Sequence, residues 1–164
     1  MMFRNVAAAL ALATLSLSAC NGGDAAAPAA KEAAPKTPLT ITSSNGAHDF
    51  VVEVARTAAE QERGLMYRTN IPKDGGMIFA PYPPEGGAPR EATFWMKNTP
   101  SPLDIIFIRA DGTIAHIADN AVPFSEDKIP SGEPVAAVLE LNGGRAAELG
   151  IAEGDKVSWP GHGK

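Results

Sequence analysis

Phe94-Trp-Met-Lys-Asn-Thr-Pro-Ser-Pro-Leu-Asp-Ile-Ile-Phe-Ile108 is the stretch on which the fold turns. Side chains alternate across a strand, so Phe94 and Met96 share one face while Trp95 and Lys97 share the other. Residues 92–97 and 103–109 read as strands. Between them Asn98-Thr-Pro-Ser-Pro102 breaks the ladder, because proline removes a donor and asparagine favours turns.

Upstream of this stretch the punctuation is that of short strands. Leu39-Thr-Ile-Thr-Ser is β-branched and alternating, and Asn45-Gly46 supplies a hairpin turn. Phe50, Val52 and Val54 fall on one face of a second strand. Thr57 and Glu60 form a capping-box pair that opens a short helix running to about Met66. Met77-Ile-Phe79 is a brief apolar run, and residues 82–89 form a loop rich in proline and glycine.

Downstream, Asp111-Gly112 turns the chain into a strand over residues 113–117, and residues 121–133 read as loop. Residues 135–141 are a strong strand. Gly143-Gly144 leads into a short helix over 146–149, and residues 156–159 close the domain. Strands at this spacing, with two brief helices, predict a mainly β fold: a single compact β-sandwich or barrel over residues 39–160, followed by a tail, 161–164.

The opening stretch closely resembles the signature of a bacterial and archaeal family, domain of unknown function 192. Glu62-Arg-Gly-Leu-Met66 with Arg68, Gly76-Met-Ile-Phe79, and Val138-Leu-Glu-Leu141 with Gly143, Gly154 and Asp155 fit the same pattern. The resemblance spans the domain and implies a jelly-roll-like β fold. It departs mainly at residues 81–89, which are longer and richer in proline and glycine than the family pattern. It implies no activity, because the family's biochemical role is not established.

The N-terminus carries a different signal. Arg4 supplies a positive start, and residues 6–17 form an apolar run too short to span a bilayer core of about 30 Å. Leu17-Ser-Ala-Cys20 resembles the lipobox of bacterial lipoproteins, which implies cleavage after residue 19 and diacylation of Cys20. Each buried methylene of such chains contributes about 0.8 kcal/mol, so two or more chains anchor stably. Residues 20–38, with alanine, proline and lysine but no large apolar side chain, read as a disordered tether. Asn21 after the cysteine, by resemblance to the sorting rule of enteric bacteria, favours the outer membrane over the inner. The reading is a lipid-anchored envelope protein facing the periplasm.

Cys20 is the one cysteine, so a lipidated chain keeps no thiol for a disulfide, nucleophile or metal site. Hydrophobic residues make up 45% and charged residues 20% of the 164, enough for a packed core. The formal charge of −5, which losing Arg4 makes −6, disfavours nucleic acid as a partner.

The candidate ligand-binding residues are Arg63, Arg68, Trp95, Lys97, Asn98 and Asp104. Trp95 offers an aromatic face beside a cation, suited to a sugar or another planar ligand; alternatively it packs beneath the loop of residues 80–91. Asn98 is expected to stabilise a turn. Asp104, in an otherwise apolar strand, needs a partner, and Arg63 or Arg68 is the expected one. Otherwise the arginines face a cleft and grip an anionic group.

Catalytic templates are missing: there is no Gly-x-Ser-x-Gly elbow, phosphate loop or His-Glu-x-x-His. His48, His116 and His162 are far apart, with His162 in a frayed tail, and no metal or cofactor is expected. Two of Asp104, Asp119 and Glu140 could form a hydrolytic pair, though Glu140 is expected on the solvent face or bonded to backbone. Met66, Met77 and Met96 read as core gap-fillers. Three functions follow in order: a non-enzymatic module binding a small ligand, glycan or protein segment; an accessory to another envelope protein; and a carboxylate-dependent envelope hydrolase.

Overall fold

Residues 34–162 are described by a computed structural model. The signal segment, Cys20 and most of the expected tether lie outside the described residues. Nine strands and two short helices follow in order among those residues: β1 (Lys36–Ser43), β2 (Gly46–Ala55), α1 (Ala58–Arg63), β3 (Gly76–Phe79), β4 (Arg90–Phe94), β5 (Leu103–Ile108), β6 (Ile114–Ala121), β7 (Ile129–Val135), β8 (Ala137–Asn142), α2 (Arg145–Leu149) and β9 (Lys156–Ser158). The expected mainly β architecture is found.

Seven strands form one sheet in the order β6-β5-β8-β3-β2-β1-β9, and β4 pairs with β7 in a separate ribbon. All pairs are antiparallel except β2–β3, which α1 and its following loop connect. The large sheet curls until its ends meet: Ile114 N–H donates to Asp155 O at 2.9 Å, and Val157 N–H to Gly112 O at 2.8 Å. The result is a half-barrel with its two edges pinned by backbone hydrogen bonds.

Both faces of the central strands are covered. Ile78, Ile106, Ile108, Leu139 and Leu141 pack inside the curl against Leu39, Ile41, Phe50, Val52 and Val54. On the other face Met77, Phe79, Ile105, Phe107 and Val138 pack beneath the ribbon residues Ala92 and Val135, together with Met96. This explains why Leu103-Asp-Ile-Ile-Phe-Ile108 is almost continuously apolar: a strand buried on both sides has no face left for water.

Several boundaries differ from expectation for physical reasons. β1 begins at Lys36, inside the stretch assigned to the tether, because Lys36 and Thr37 pair with Glu53 and Val52. α1 stops at Arg63 rather than Met66. Its capping box is present, but Gly64 adopts φ 47°, ψ −136° and redirects the chain. β4 stops at Phe94, and Asn98 at φ 55° makes the turn beyond it. The loop assigned to residues 121–133 contains most of β7, Ile129-Pro-Ser-Gly-Glu-Pro-Val135. Two prolines and a glycine disguise it, and they are tolerated because the ribbon pairs it on one side. The Ser131 hydroxyl repairs the ladder, accepting from Ala92 N–H at 2.9 Å and donating to Glu133 O at 2.7 Å. The single strand expected over 135–141 is therefore the end of β7 and most of β8. His162, expected to fray, lies against Trp159 with ring centroids 4.2 Å apart.

Candidate functional site

β8 places Glu140 opposite Met77 on β3 and Ile105 on β5, on the face covered by the ribbon. Only 5% of the residue is exposed. Its Oε2 has no hydrogen-bond partner, and burial alone pushes its carboxyl up to about 8. Expected on the solvent face or bonded to backbone, Glu140 is instead a buried acid with an orphaned oxygen, and it is protonated at neutral pH.

Gly64 holds the chain close above this acid. A Cβ there would press on Phe79 Cζ at 3.2 Å and lie in contact with Glu140 Oε2 at 3.7 Å. One turn earlier, Gln61 donates its amide N–H groups to Ala55 O at 3.1 Å and Pro81 O at 2.8 Å. That use of both donors fixes the amide and leaves Oε1 buried without a donor.

These groups line a groove of about 310 Å³ between α1 and the start of the turn after β4. Its walls are aromatic. Phe79 and Phe94 meet edge to face at 5.0 Å and 87°, and Tyr82 packs on Phe94 at 6.1 Å. Trp95 stands at the mouth, 43% exposed, with Lys97 Nζ 4.9 Å from its ring centroid. Phe94 and Met96 turn to the core and Trp95 and Lys97 away from it, as alternation requires. Trp95 is exposed rather than buried as a satellite core beneath residues 80–91, and Tyr82 of that loop packs on Phe94.

The structure gathers four of the six candidate residues. Arg63 and Trp95 line the groove over Glu140, and both border a more open depression with Lys97 and Asn98. Asn98 takes the expected turn role through its left-handed backbone, φ 55°, its main-chain carbonyl accepting from Tyr67 N–H at 2.8 Å. Its side-chain amide reaches Met66 Sδ at 4.0 Å rather than nearby backbone. Met66, expected in the core, is half-buried and borders both depressions. The other two candidates lie elsewhere. Arg68 forks onto Glu53 at 3.0 and 2.8 Å. Asp104 pairs with neither arginine. Its carboxylate accepts three backbone N–H groups, from Asn120 and Gly144 at 2.8 Å and Ala146 at 2.7 Å.

Asp104 also stands opposite Leu141 in the register, whereas Glu140 stands opposite Ile105, so the two acids point to opposite faces of the sheet. Asp119 is exposed on β6. The carboxylate pair considered from sequence is thus not assembled. The histidines also stay apart: His48 bonds Asn45 at 3.0 Å and His116 bonds Glu153 at 2.8 Å. Among the described residues no cluster of three or more metal-ligating side chains is present, and no helix is long and apolar enough to cross a membrane.

A curled β sheet with a ribbon lid and an aromatic groove over a buried acid defines a small β domain of one recurrent kind. Residues 40–159 match the family DUF192, an "Uncharacterized ACR", and the chain belongs to that family. Solved structures agree. A Novosphingobium aromaticivorans protein of unknown function is 50% identical, with a TM-score of 0.73 over 82% of this chain and 94% of that one. A Sinorhizobium meliloti protein described as a "putative transcription regulator" is 44% identical, with a TM-score of 0.72 over 77% and 95%. No curated protein matches significantly.

Proposed function

We propose that this protein is an envelope lipoprotein whose β domain is a binding module, taking a small ligand or one side chain of a protein segment into the groove over Glu140. The observation that carries the reading is the combination of a buried, unpartnered acid with aromatic walls and an exposed tryptophan at the mouth. Buried polar atoms are nearly always satisfied, so an orphan facing a groove marks where a ligand's polar group belongs. Lipid anchoring at Cys20, facing the periplasm and favouring the outer membrane, is supported by the lipobox-like Leu17-Ser-Ala-Cys20 and by Asn21. A regulatory role of the kind named for the Sinorhizobium protein is not adopted, since a charge of −5 gives phosphates little to hold.

The test is a screen of amines, sugars and short peptides followed by tryptophan fluorescence. A true ligand quenches saturably, and Trp95→Ala removes the response while the melting curve is kept. Absence of any saturable ligand contradicts the reading. Mass spectrometry of the native protein tests the anchor separately: the diacylated cysteine is expected, and an unmodified thiol or uncut leader would refute it.

One observation favours a second reading. An acid whose pKa lies near 8 is suited to giving and taking protons at neutral pH, as a general acid does. It would act without a second carboxylate, and Glu140→Gln would then abolish turnover while leaving ligand binding in place.

A further inference from the structure

Glu140 and Gln61 line the groove, and each carries a buried oxygen without a partner, Oε2 and Oε1, that can accept a hydrogen bond. Gln61 cannot turn its amide to supply a donor, because both of its N–H groups are committed to Ala55 O and Pro81 O. The missing group must therefore bring donors. A neutral hydroxyl can serve both, donating to Gln61 Oε1 and accepting from the protonated Glu140 carboxyl, so the two oxygens alone do not separate it from a cation. An ammonium brings three, satisfies both acceptors and lets the acid ionise.

The walls favour the cation. Phe79, Tyr82, Phe94 and Trp95 border the groove, and aromatic faces attract organic cations. Gly64 keeps the approach to Oε2 free of a side chain.

We infer that the groove, if it is the binding site proposed above, receives an organic ammonium group seated between the Glu140 carboxylate and the Gln61 amide oxygen, with the attached carbon chain lying along Trp95. The shared chemistry is a primary ammonium, carried either by a free amine or by a lysine side chain of a protein segment.

Other charges face the groove. From α1 come Glu62 and Arg63, from the loop after β3 comes Tyr82, and beyond Trp95 stands Lys97; β3 and β5 supply only apolar side chains there, Met77, Phe79 and Ile105. Glu62, Arg63 and Lys97 sit at or near the solvent, where screening weakens them. Selection therefore rests on the buried acceptors. Seating the cation drives Glu140 to release its proton to solvent, so binding strengthens as pH rises toward the acid's own midpoint, about tenfold per unit.

The experiment titrates the folded domain with n-butylammonium, Nα-acetyl-lysine-N-methylamide, 1-butanol and butyrate, following tryptophan fluorescence and heat. Saturable binding of an ammonium probe, about tenfold weaker at pH 6 than at pH 7, is expected. Calorimetry in two buffers of different ionisation enthalpy should show release of nearly one proton at pH 7. Tighter binding of the lysine derivative than of butylammonium would assign the source to a protein segment, and equal binding to a free amine.

Saturation by butanol or butyrate but not by either ammonium probe would overturn the inference while leaving a binding groove in place. Silence from all four probes overturns the inference too; the wider ligand screen then decides the broader reading. Glu140→Gln should weaken ammonium binding at least tenfold and flatten its pH dependence, and unchanged binding would be a refutation. Should that variant fail to fold, the unaltered protein still decides the matter: proton release on binding supports the inference, and binding without it refutes the inference.

Discussion

Asp104 and Glu140, the buried acids among the described residues, sit on neighbouring strands in successive register positions yet live in opposite circumstances. Asp104 faces the interior of the curl at the end where α2 begins. Three backbone N–H groups, from the end of β6, from the residue capping α2 and from the first turn of α2, converge on its two oxygens. Glu140 faces the ribbon, has apolar neighbours on both flanking strands, and has an oxygen to which nothing donates. A carboxylate that collects backbone donors fixes loops and stabilises the fold. One left without donors costs stability and persists where something outside the chain completes it. Burial alone does not separate these roles. Partner accounting does.

The sharpest way to break the contrast is to remove Asp104. Asp104→Ala leaves three backbone N–H groups buried and unpaired and unties α2 from β6. Urea denaturation should show a loss of about 4 kcal/mol or more. A loss under about 1 kcal/mol would mean that Asp104 does not hold those loops.

The opposite sign is expected at Glu140. Its folded-state pKa of about 8 lies above the ordinary 4.5, so the folded protein holds a proton that the unfolded chain gives up between those values. The neutral acid's stability is fully present below pH 4.5 and is lost progressively as pH rises through 8. Glu140→Gln, neutral at every pH, should match the parent near pH 4.5 and exceed it at pH 8 by a few kcal/mol at most. Thermal melts at the two pH values check this. Equal stability at both would show that Glu140 is already paired.

The smallest structural effect belongs to Trp95. Because the ring is 43% exposed, Trp95→Ala should change stability by less than about 1 kcal/mol while removing most of the groove's fluorescence response. A large loss of stability would return Trp95 to the core.

How much of this contrast is legible in the sequence depends on where each group's partners come from. The hairpin at Asn45-Gly46 and the capping box at Thr57 and Glu60 are local, and both are found where the sequence places them. β7 is hidden, since its stabilising partner is β4, distant in the chain, and its own residues read as a loop. Asp104 is legible as a group needing partners, but arginine is the wrong kind. The donors are main-chain groups of Asn120, Gly144 and Ala146, which leave no side-chain signature. Glu140, between Leu139 and Leu141, sits in as apolar a setting as Asp104 does. That setting signals burial, but it does not reveal which face the ribbon covers. Gln61 carries no signal at all: its orphaned oxygen follows from two carbonyls that only the folded chain brings to its amide.

Carbon-13 NMR of the protein labelled at glutamate carboxyls reads the central claim most directly, because each carboxyl shift reports its own protonation. The Glu140 signal, assigned by its loss in Glu140→Gln, should titrate with a midpoint near 8 in the free protein. A midpoint at or below 5 would mean that the acid is solvated or already partnered, and the account of the groove would fail with it.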